Sequence, residues 1–241
     1  MAISCITCAY NEAGRIGRVL DVLTRHPALD EVIVVDDGST DATARVAAAY
    51  PKVRLISYRP NRGKSYALGE GIRGAKGDYL LFVDADLDGL TAQDVTALIE
   101  PVLAGRADVS ISMRANSLSL YRALGIDFVS GERVVPRALL ADEVSEIQHL
   151  PHWGCEVFMN KLFIARHLRL AVVRWPHVFN VRKFRKVGLL HGVAEEISMI
   201  RGALKAVGAV EAVRQYFGLR RLLIDRPRIV PRLWRKPALQ P

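Results

Sequence analysis

The stretch "YLLFVDADLDG", residues 79–89, runs five largely apolar residues into three carboxylates spaced two apart, Asp84, Asp86 and Asp88. Apolar side chains favour burial, whereas carboxylates need water, a cation or a hydrogen-bond partner. A strand that ends at a metal site satisfies both requirements, and so does a strand that ends in solvent. The residues around this stretch decide between these two interpretations.

The length and composition of the chain are those of one domain with an appendage. Its 241 residues, 50% of them hydrophobic, are enough to bury a full core. The three cysteines do not form a disulfide framework, and Cys5 and Cys8 lack the second ligand pair of a zinc site. The first residues show no signal-peptide pattern, and no apolar run reaches the ~18 to 20 residues that span a bilayer. We therefore expect a cytoplasmic protein that is soluble or attached peripherally to the inner face of the membrane.

Positive charge is concentrated in the last third of the chain. Residues 1–160 hold 16 Lys and Arg against 21 Asp and Glu, whereas residues 161–241 hold 18 against 4. A segment this basic favours an anionic partner, such as lipid headgroups, a phosphate-bearing substrate or nucleic acid. The simpler interpretation is a solvated basic face that keeps the protein in solution.

Strand-like and helix-like segments alternate through the first half of the chain. The first predicted helix places Ile16, Val19, Leu20 and Leu23 on one stripe, as an amphipathic helix requires. Strands that alternate with helices form a mostly parallel sheet with helices on both faces. The sequence therefore predicts an α/β protein with a single Rossmann-like domain. The predicted strands are residues 3–10, 31–37, 53–58, 78–86 and 107–113.

A polar cluster directly follows each of four predicted strands. In parallel sheets of this kind, ligands bind beyond the carboxyl ends of the strands, so the four clusters converge along one edge. Any one of them could be an ordinary cap or turn, but four at strand ends favour a binding site. The clusters are residues 10–12, 36–41, 61–65 and 84–88.

The second and third clusters suit a nucleotide. Asp36 and Asp37 are acceptors for ribose hydroxyls or a base N–H. Arg62 and Lys64 suit a phosphate, with help from Gly63 and the N-terminus of the helix that follows.

The fourth cluster suits a divalent cation. Asp84, Asp86 and Asp88 offer hard oxygen ligands for Mg²⁺ or Mn²⁺, ions that substrate phosphates also hold. Alternate residues of an extended segment point to the same side, so the three carboxylates can share one cation. We interpret the opening stretch as the metal site for a nucleotide diphosphate.

Three stretches, taken in order and spacing, resemble the family 2 glycosyltransferases of the GT-A fold: "ITCAYNEAGRI" (6–16), "VIVVDDGSTDAT" (32–43) and "NRGKSYALGEGIRGAKGDYLLFVDADL" (61–87). The resemblance extends over residues 3–190. It implies a GT-A fold, with a mostly parallel central sheet flanked by helices. It also implies a set of residues that bind the nucleotide-sugar donor: Tyr10, Asn11, Glu12, Asp36, Asp37, Arg62, Lys64, Asp84 and Asp86.

Within that family, three further segments resemble the acceptor side of polyprenyl-phosphate mannosyl- and glucosyltransferases. "DFVSGERVVPRALL" (127–140) is similar to their D-x-x-S-G-x-R segment, and "WGCEVFMNKL" (153–162) to the segment that places a carboxylate beneath the acceptor. The basic stretch "VRWPHVFNVRKFRKVG" (173–188) stands where those enzymes contact phosphate. The acceptor residues that this resemblance implies are Asp127, Ser130, Gly131, Arg133, Glu156, Arg182, Lys183, Arg185 and Lys186.

The resemblance implies transfer of a sugar, with inversion, from a UDP- or GDP-sugar to a membrane-associated acceptor such as a polyprenyl phosphate or a glycolipid. Asp86, with the metal, stabilises the departing diphosphate. A hydroxyl acceptor needs a base, and Glu156 or Asp127 would serve, whereas a phosphate acceptor is already ionised. A small soluble or saccharide acceptor is the alternative.

Interpretations from other classes also stay open. A magnesium-dependent phosphatase or phosphotransferase would use Asp84 and Asp86 as a nucleophile pair, although such a motif normally follows the first strand. If the protein were a non-catalytic one that binds anionic surfaces, the intact carboxylate cluster would have no role. Nucleic-acid binding explains the basic half but not the carboxylate cluster, so we expect no nucleic-acid partner.

The chain is expected to divide at about residue 190. Residues 1–190 form the predicted catalytic domain, with a nucleotide-sugar half up to about residue 115 and an acceptor half from about 116 to 190. Residues 191–241 form a basic helical extension and tail, whose mixture of arginine with leucine and tryptophan favours an anionic membrane surface. Packing on the domain and an oligomer interface are the alternatives. The extension contains one predicted apolar stripe, at Val193, Ile197, Ile200, Leu204 and Val207.

Overall fold

The apolar runs of the sequence form a sheet of seven strands at the centre of the protein. The computed structural model describes residues 1–151, 154–180 and 208–225. Two very short strands, β5 and β9 below, pair with each other in a separate antiparallel ribbon. The strands are β1 (Ile3–Ala9), β2 (Glu31–Asp37), β3 (Val53–Tyr58), β4 (Tyr79–Phe82), β5 (Leu87–Asp88), β6 (Val109–Arg114), β7 (Arg133–Pro136), β8 (Leu170–Trp175) and β9 (Phe179–Asn180).

Helices connect the strands of the first half, as the alternating pattern predicts. The best-defined helix start is at Thr91, whose hydroxyl accepts from the backbone N–H of Asp94 while the carboxylate of Asp94 accepts from that of Thr91. This reciprocal capping box satisfies two backbone donors that a helix end otherwise leaves unpaired. The helices are α1 (Ile16–Leu23), α2 (Thr43–Ala48), α3 (Lys64–Gly74), α4 (Ala92–Leu103), α5 (Ser119–Leu124), α6 (Val144–Gln148), α7 (Gly154–Ala165) and α8 (Ala209–Leu222).

Parallel pairing dominates the sheet, whose strand order is β3-β2-β1-β4-β7-β6-β8. β1 pairs in parallel with β2 and β4, and β6 pairs in parallel with β8. Within the described residues, β7 runs antiparallel to both of its neighbours. The predicted α/β architecture with a mostly parallel sheet is confirmed. The antiparallel strand β7 was not predicted, because residues 127–140 were interpreted only as part of the acceptor side.

Each strand divides its side chains between two apolar layers, one on each face of the sheet. In β2, Val32 and Val34 pack into one layer, while Ile33 and Val35 pack into the other, and none of the four is more than 3% exposed. Burial on both faces explains why this strand reads as a continuous apolar run rather than as an alternating one. Its polar residues are therefore confined to its two ends, with Glu31 at the amino end and Asp36 and Asp37 at the carboxyl end.

α8 is the described part of the predicted C-terminal helical extension. It packs closely on α7, because a Cβ added to Gly218 would lie 2.6 Å from Cδ1 of Ile164. The predicted stripe from Val193 to Val207 lies outside the described residues, and the division of the chain at residue 190 stays a prediction. Among the helices of the described segments, none is long and apolar enough to cross a bilayer.

Replacing Gly71 with alanine tests the close approach of α3 to the sheet. A Cβ at Gly71 would lie 2.5 Å from Cγ2 of Ile6, a branched methyl group inside the core. We expect Gly71→Ala to lower the free energy of unfolding by roughly 1–3 kcal/mol, even though alanine is the better helix former. Gly14→Ala is the control, because no heavy atom lies within 4 Å of its added Cβ. Equal urea midpoints for both variants and the wild type would contradict the prediction.

Candidate active site

The carboxyl ends of β1, β2 and β4 surround a cleft with a volume of about 480 Å³. All four polar clusters that follow strands contribute to its wall. The cleft also contains Asn180, which reaches it from β9. The lining residues from the four clusters are Tyr10, Glu12, Asp37, Asn61, Gly63, Lys64, Asp84 and Asp86.

Asp37 organises the loop between β3 and α3. Its carboxylate accepts from the backbone N–H of Arg62 at 2.8 Å, from that of Gly63 at 2.9 Å and from Nδ2 of Asn61 at 2.9 Å. Asp36 lies deeper, 2% exposed, and accepts from Oγ of Ser57 at 2.9 Å. Asp37 therefore lines the cleft and shapes it, whereas Asp36 supports the wall from behind.

Lys64, the first residue of α3, joins the two sides of the site. Its Nζ lies 3.0 Å from Oδ1 of Asp84 and 3.1 Å from Oε1 of Glu156. Burial by itself lowers the pKa of Lys64, but the two carboxylates outweigh burial and raise that pKa well above its usual value. The ammonium group is therefore permanently charged and held between two carboxylates.

Asp84 is held from three directions. Besides Lys64, Nη1 of Arg114 lies 3.6 Å from its Oδ2, and a Cβ added to Gly131 would lie 2.9 Å from the same oxygen. Burial raises the pKa of Asp84, but the charges of Lys64 and Arg114 outweigh burial and bring the pKa down to about 2. Asp84 is therefore an ionised and rigidly placed acceptor.

Asp86 is the carboxylate most open to a cation. Burial and the charge of Asp84 raise its pKa, and a nearby cation would relieve both effects. Nδ2 of Asn180 donates to its Oδ1 at 3.1 Å, and no other described residue bonds to it. Together with Asp84 it fits Mg²⁺ or Mn²⁺, ions that proteins commonly hold with one or two carboxylates plus substrate phosphates. The described residues include no group of three possible metal-ligating side chains, so substrate and water would supply the other ligands.

Asp88 does not join the other two carboxylates in the cleft. The chain turns at Ala85 and Asp86 instead of staying extended, and Asp88 then pairs with Phe179 in the β5–β9 ribbon. Its Oδ1 lies 3.2 Å from Nη1 of Arg18. The segment that carries the three carboxylates is therefore not extended, and Asp84 and Asp86 line the cleft without Asp88.

The first cluster forms the outer wall of the cleft. Tyr10 is 47% exposed and lines it, and Glu12 lines it while paired with Arg15 at 2.8 Å. Asn11 points elsewhere, because its Oδ1 accepts from the backbone N–H of Thr40 at 2.9 Å. Arg62, from the third cluster, stacks on the ring of Tyr66 with its Cζ 3.5 Å from the ring centroid, and it does not line the cleft.

Glu156 and Arg133, both predicted to contribute to the acceptor side, differ in their surroundings. Glu156 is 4% exposed and meets the cleft through Lys64. Arg133 is 1% exposed, and its guanidinium donates to the carbonyls of Ser130 and Glu156 and to Oδ1 of Asn160. In this arrangement Arg133 holds the acceptor segment in place and does not face a ligand.

Ser130 and Asp127 belong to a buried polar network. Oγ of Ser130 lies 2.9 Å from Oε2 of Glu132, and Nη1 of Arg114 lies 2.6 Å from Oε1 of Glu132. Asp127 accepts from Oγ of Ser117 at 2.6 Å. This network connects the acceptor segment to Asp84 through Arg114. Arg182, Lys183, Arg185 and Lys186 lie outside the described residues.

Three residues that contact predicted site residues were not predicted from the sequence: Arg114, Glu132 and Asn180. Arg114 directly follows the predicted strand 107–113 and is the last residue of β6, so the rule that selected the other polar clusters would also have found it. Glu132 lies inside the predicted acceptor segment 127–140 but was not among the predicted site residues. Asn180 gives no local signal, because it is 94 residues from the carboxylate of Asp86 that it contacts.

Comparison with known sequences places the chain among sugar transferases. Residues 4–120 match the family model described as glycosyl transferase family 2. Succinoglycan biosynthesis protein ExoO of Rhizobium meliloti (strain 1021) is 31% identical over 170 residues, which are 68% of this chain and 44% of that protein. Dolichyl-phosphate beta-glucosyltransferase of Homo sapiens is 39% identical over 99 residues, which are 35% of this chain and 31% of that protein. The chain thus spans less than half the length of these curated relatives.

Solved structures of a glycosyltransferase are also similar to this chain. Glucosyl-3-phosphoglycerate synthase from Mycobacterium tuberculosis, in complex with Mn²⁺, UDP and glucosyl-3-phosphoglycerate, has a TM-score of 0.64 and 26% identity, covering 86% of this chain and 80% of that chain. Its complex with Mg²⁺ and UDP gives the same TM-score and identity. The sheet, the cleft at its carboxyl edge and these likenesses define a glycosyltransferase domain of the GT-A fold. Residues 4–120 belong to glycosyl transferase family 2, which confirms the resemblance seen in the sequence.

The low pKa of Asp84 gives the site a characteristic dependence on pH. Because this pKa is about 2 in the folded chain and 3.8 in its unperturbed form, the ionised carboxylate stabilises the fold above about pH 4. That contribution is lost as the pH falls through the folded value. We expect Asp84→Asn to be less stable than the wild type at neutral pH and to approach it near about pH 2 in urea unfolding.

The control for this experiment is Asp21→Asn, which removes an exposed ion pair with Arg25. Such surface pairs contribute little to stability, so this variant should follow the wild type throughout. An equal loss of stability by Asp84→Asn at neutral and acidic pH would contradict the assignment of its charge interactions.

Proposed function

We propose that the protein is an inverting glycosyltransferase that moves a sugar from a nucleotide-diphosphate sugar to a phosphate-bearing acceptor. One observation carries the proposal: Asp84 and Asp86 lie together in the cleft, and Lys64 bridges Asp84 to Glu156 on the acceptor side. Two carboxylates, a fixed cation and an adjoining acceptor wall are the parts that transfer from a diphosphate requires.

The proposed donor is a uridine diphosphate sugar. The solved neighbours bind UDP with Mn²⁺ or Mg²⁺, and the human relative is a beta-glucosyltransferase. A divalent cation held by Asp84 and Asp86 would neutralise the negative charge that grows on the departing diphosphate. Lys64 keeps a further positive charge beside that position, and Asp37 keeps the loop before α3 in place.

The proposed acceptor carries a phosphate, because a second cavity beyond Arg114 is lined by cationic side chains. This cavity has a volume of about 250 Å³, and Arg114, Arg122 and Arg174 line it, with no carboxylate among the described lining residues. Arg122 and Arg174 are exposed, whereas Arg114 is paired with Glu132 and reaches towards Asp84. Guanidinium groups suit phosphate because they present several donors in a fixed plane.

The relatives support both a lipid-linked and a soluble phosphate acceptor. The human relative is named for dolichyl phosphate, and the solved neighbour contains a glucosylated phosphoglycerate. We propose the lipid-linked acceptor first, a polyprenyl phosphate or a glycolipid, because the basic extension suits an anionic membrane surface. A phosphate acceptor needs no base, so Glu156 would position Lys64 and the acceptor; with a hydroxyl acceptor it would also take the proton.

The phosphotransferase alternative has less support. An aspartyl nucleophile pair of that class normally follows the first strand and is followed by a hydroxylic residue. In this chain Asp84 and Asp86 come after β4, the fourth strand, and Leu87 follows Asp86.

Titration of UDP and GDP, each with and without Mn²⁺, tests the donor site. We expect Mn²⁺-dependent binding of UDP, and we expect Asp86→Asn to weaken it by at least about tenfold, because a ligand to the cation is lost. Asp88→Asn is the matched control, since Asp88 pairs with Arg18 away from the cleft. Binding of neither nucleotide by the folded wild type would remove the basis of the proposed function.

Removing the charges of the second cavity tests the acceptor. With UDP-glucose as donor, we expect the double variant Arg122→Gln and Arg174→Gln to raise the KM for a short polyprenyl phosphate or for phosphoglycerate by about tenfold or more. Its affinity for UDP should stay at the wild-type value. Arg25→Gln, at an exposed ion pair, is the control. An unchanged KM for both acceptors would place acceptor binding elsewhere.

A further inference from the structure

The rotation of α8 about its own axis is fixed by buried contacts with α7. Nε2 of Gln215 donates to the carbonyl of Val157, and its Oε1 accepts from Nδ2 of Asn160, both at 3.1 Å. Gln215 is 1% exposed, and Ala212 and Leu219 are buried on the same face. The residues on the opposite face of α8 therefore point outward because of specific packing.

That outward face is apolar where a surface helix is normally polar. Val210, Val213 and Phe217 are 80%, 56% and 57% exposed, and their spacing of three and four places them on one stripe. Among the described residues, seven large apolar side chains are exposed, and three of them lie on this stripe. Arg214 and Arg221 occupy the same face, four and eleven positions after Val210.

The charge of this face is positive and largely uncompensated. The carboxylate nearest to Arg214 is that of Glu211, at 3.9 Å, and no described carboxylate pairs with Arg221. The net charge of the sequence around the helix is also positive, since residues 201–241 hold 10 Lys and Arg against 2 Asp and Glu. Apolar side chains flanked by arginine on one face characterise helices that lie in the interface of an anionic membrane.

We infer that the outer face of α8, made by Val210, Val213, Arg214, Phe217 and Arg221, docks on an anionic lipid surface. The inference deepens the proposed function and rests on it, because a lipid-linked acceptor requires the enzyme at the membrane. Phe217 enters the boundary of the acyl chains, while the guanidinium groups stay among the headgroups.

A second copy of the chain is the less favourable occupant of this face. A two-fold interface presents the same stripe from both sides, and it would bring Arg214 and Arg221 of both copies together. The one described carboxylate that pairs with either arginine is Glu211, which lies 3.9 Å from Arg214 and also contacts Lys161 at 3.8 Å. An anionic bilayer, by contrast, supplies the missing negative charge.

Docking through α8 also fixes how the candidate active site faces the bilayer. Asn160, which bonds to Gln215, accepts from Nη1 of Arg133 at 3.3 Å, and Arg133 donates to the carbonyl of Glu156 at the same distance. A continuous chain of buried polar groups thus connects the proposed docking helix with the acceptor wall. The orientation of α8 on the membrane therefore determines how Glu156 is oriented relative to the bilayer.

Vesicle flotation of the full chain tests the inference. We expect binding to phosphatidylcholine vesicles that contain phosphatidylglycerol, weaker binding to phosphatidylcholine alone, and a loss at high salt. Val213→Ser with Phe217→Ser should lower the partition coefficient by about tenfold or more, and so should Arg214→Gln with Arg221→Gln. The matched controls are Leu120→Ser, at an apolar residue 48% exposed on α5, and Arg25→Gln, in the turn after α1, with Arg45→Gln on α2.

Three results would overturn the inference. The first is wild-type binding by both stripe variants. The second is a wild-type dimer in light scattering that Phe217→Ser converts to a monomer without a change in vesicle binding, because the face would then be an interface between copies. The third is a clearly lower Tm of the stripe variants with unchanged vesicle binding, because the chain itself would then cover the face. Mn²⁺-dependent UDP binding, measured on the same preparations, separates failure of docking from failure of the proposed function.

Discussion

The ion pairs of Lys64 are the constraint on which the rest of the structure depends. One ammonium group contacts Asp84, 20 residues away, and Glu156, 92 residues away. Glu156 is 4% exposed, and a buried charge without its partner is costly, so its position depends on the ammonium group of Lys64. Lys64 therefore joins the cleft to the buried carboxylate of Glu156, and the site depends on contacts between distant parts of the chain.

Much of this arrangement follows from the sequence for a simple geometric reason. Parallel strands bring their carboxyl ends to one edge, so polar residues that directly follow buried apolar runs have to meet there. Asp37, Lys64, Asp84 and Asp86 were selected by this rule, and all four line the cleft. The two-layer core follows as well, because strands buried on both faces are nearly continuous apolar runs.

The remaining features depend on contacts between distant parts of the chain, which no local pattern encodes. Arg133 has the same sequence context whether it faces a phosphate or the core, and only the packing of α7 against β7 buries it. Asp88 fits the spacing of a third ligand, but the turn before it and the pairing of β5 with β9 carry it to Arg18. Asn180 reaches Asp86 through the same pairing.

The reversed direction of β7 has an evolutionary consequence. β6 ends at the active edge of the sheet with Arg114, and β7 re-enters at that edge with Arg133, because the two strands are antiparallel. Residues 115–132 therefore form a connection that leaves the sheet and returns to it at the same edge. Such a segment can change in length and composition while every strand beneath the cleft keeps its register. Under the proposed function, acceptor preference could then diversify among descendants of one ancestor while the donor chemistry stays the same.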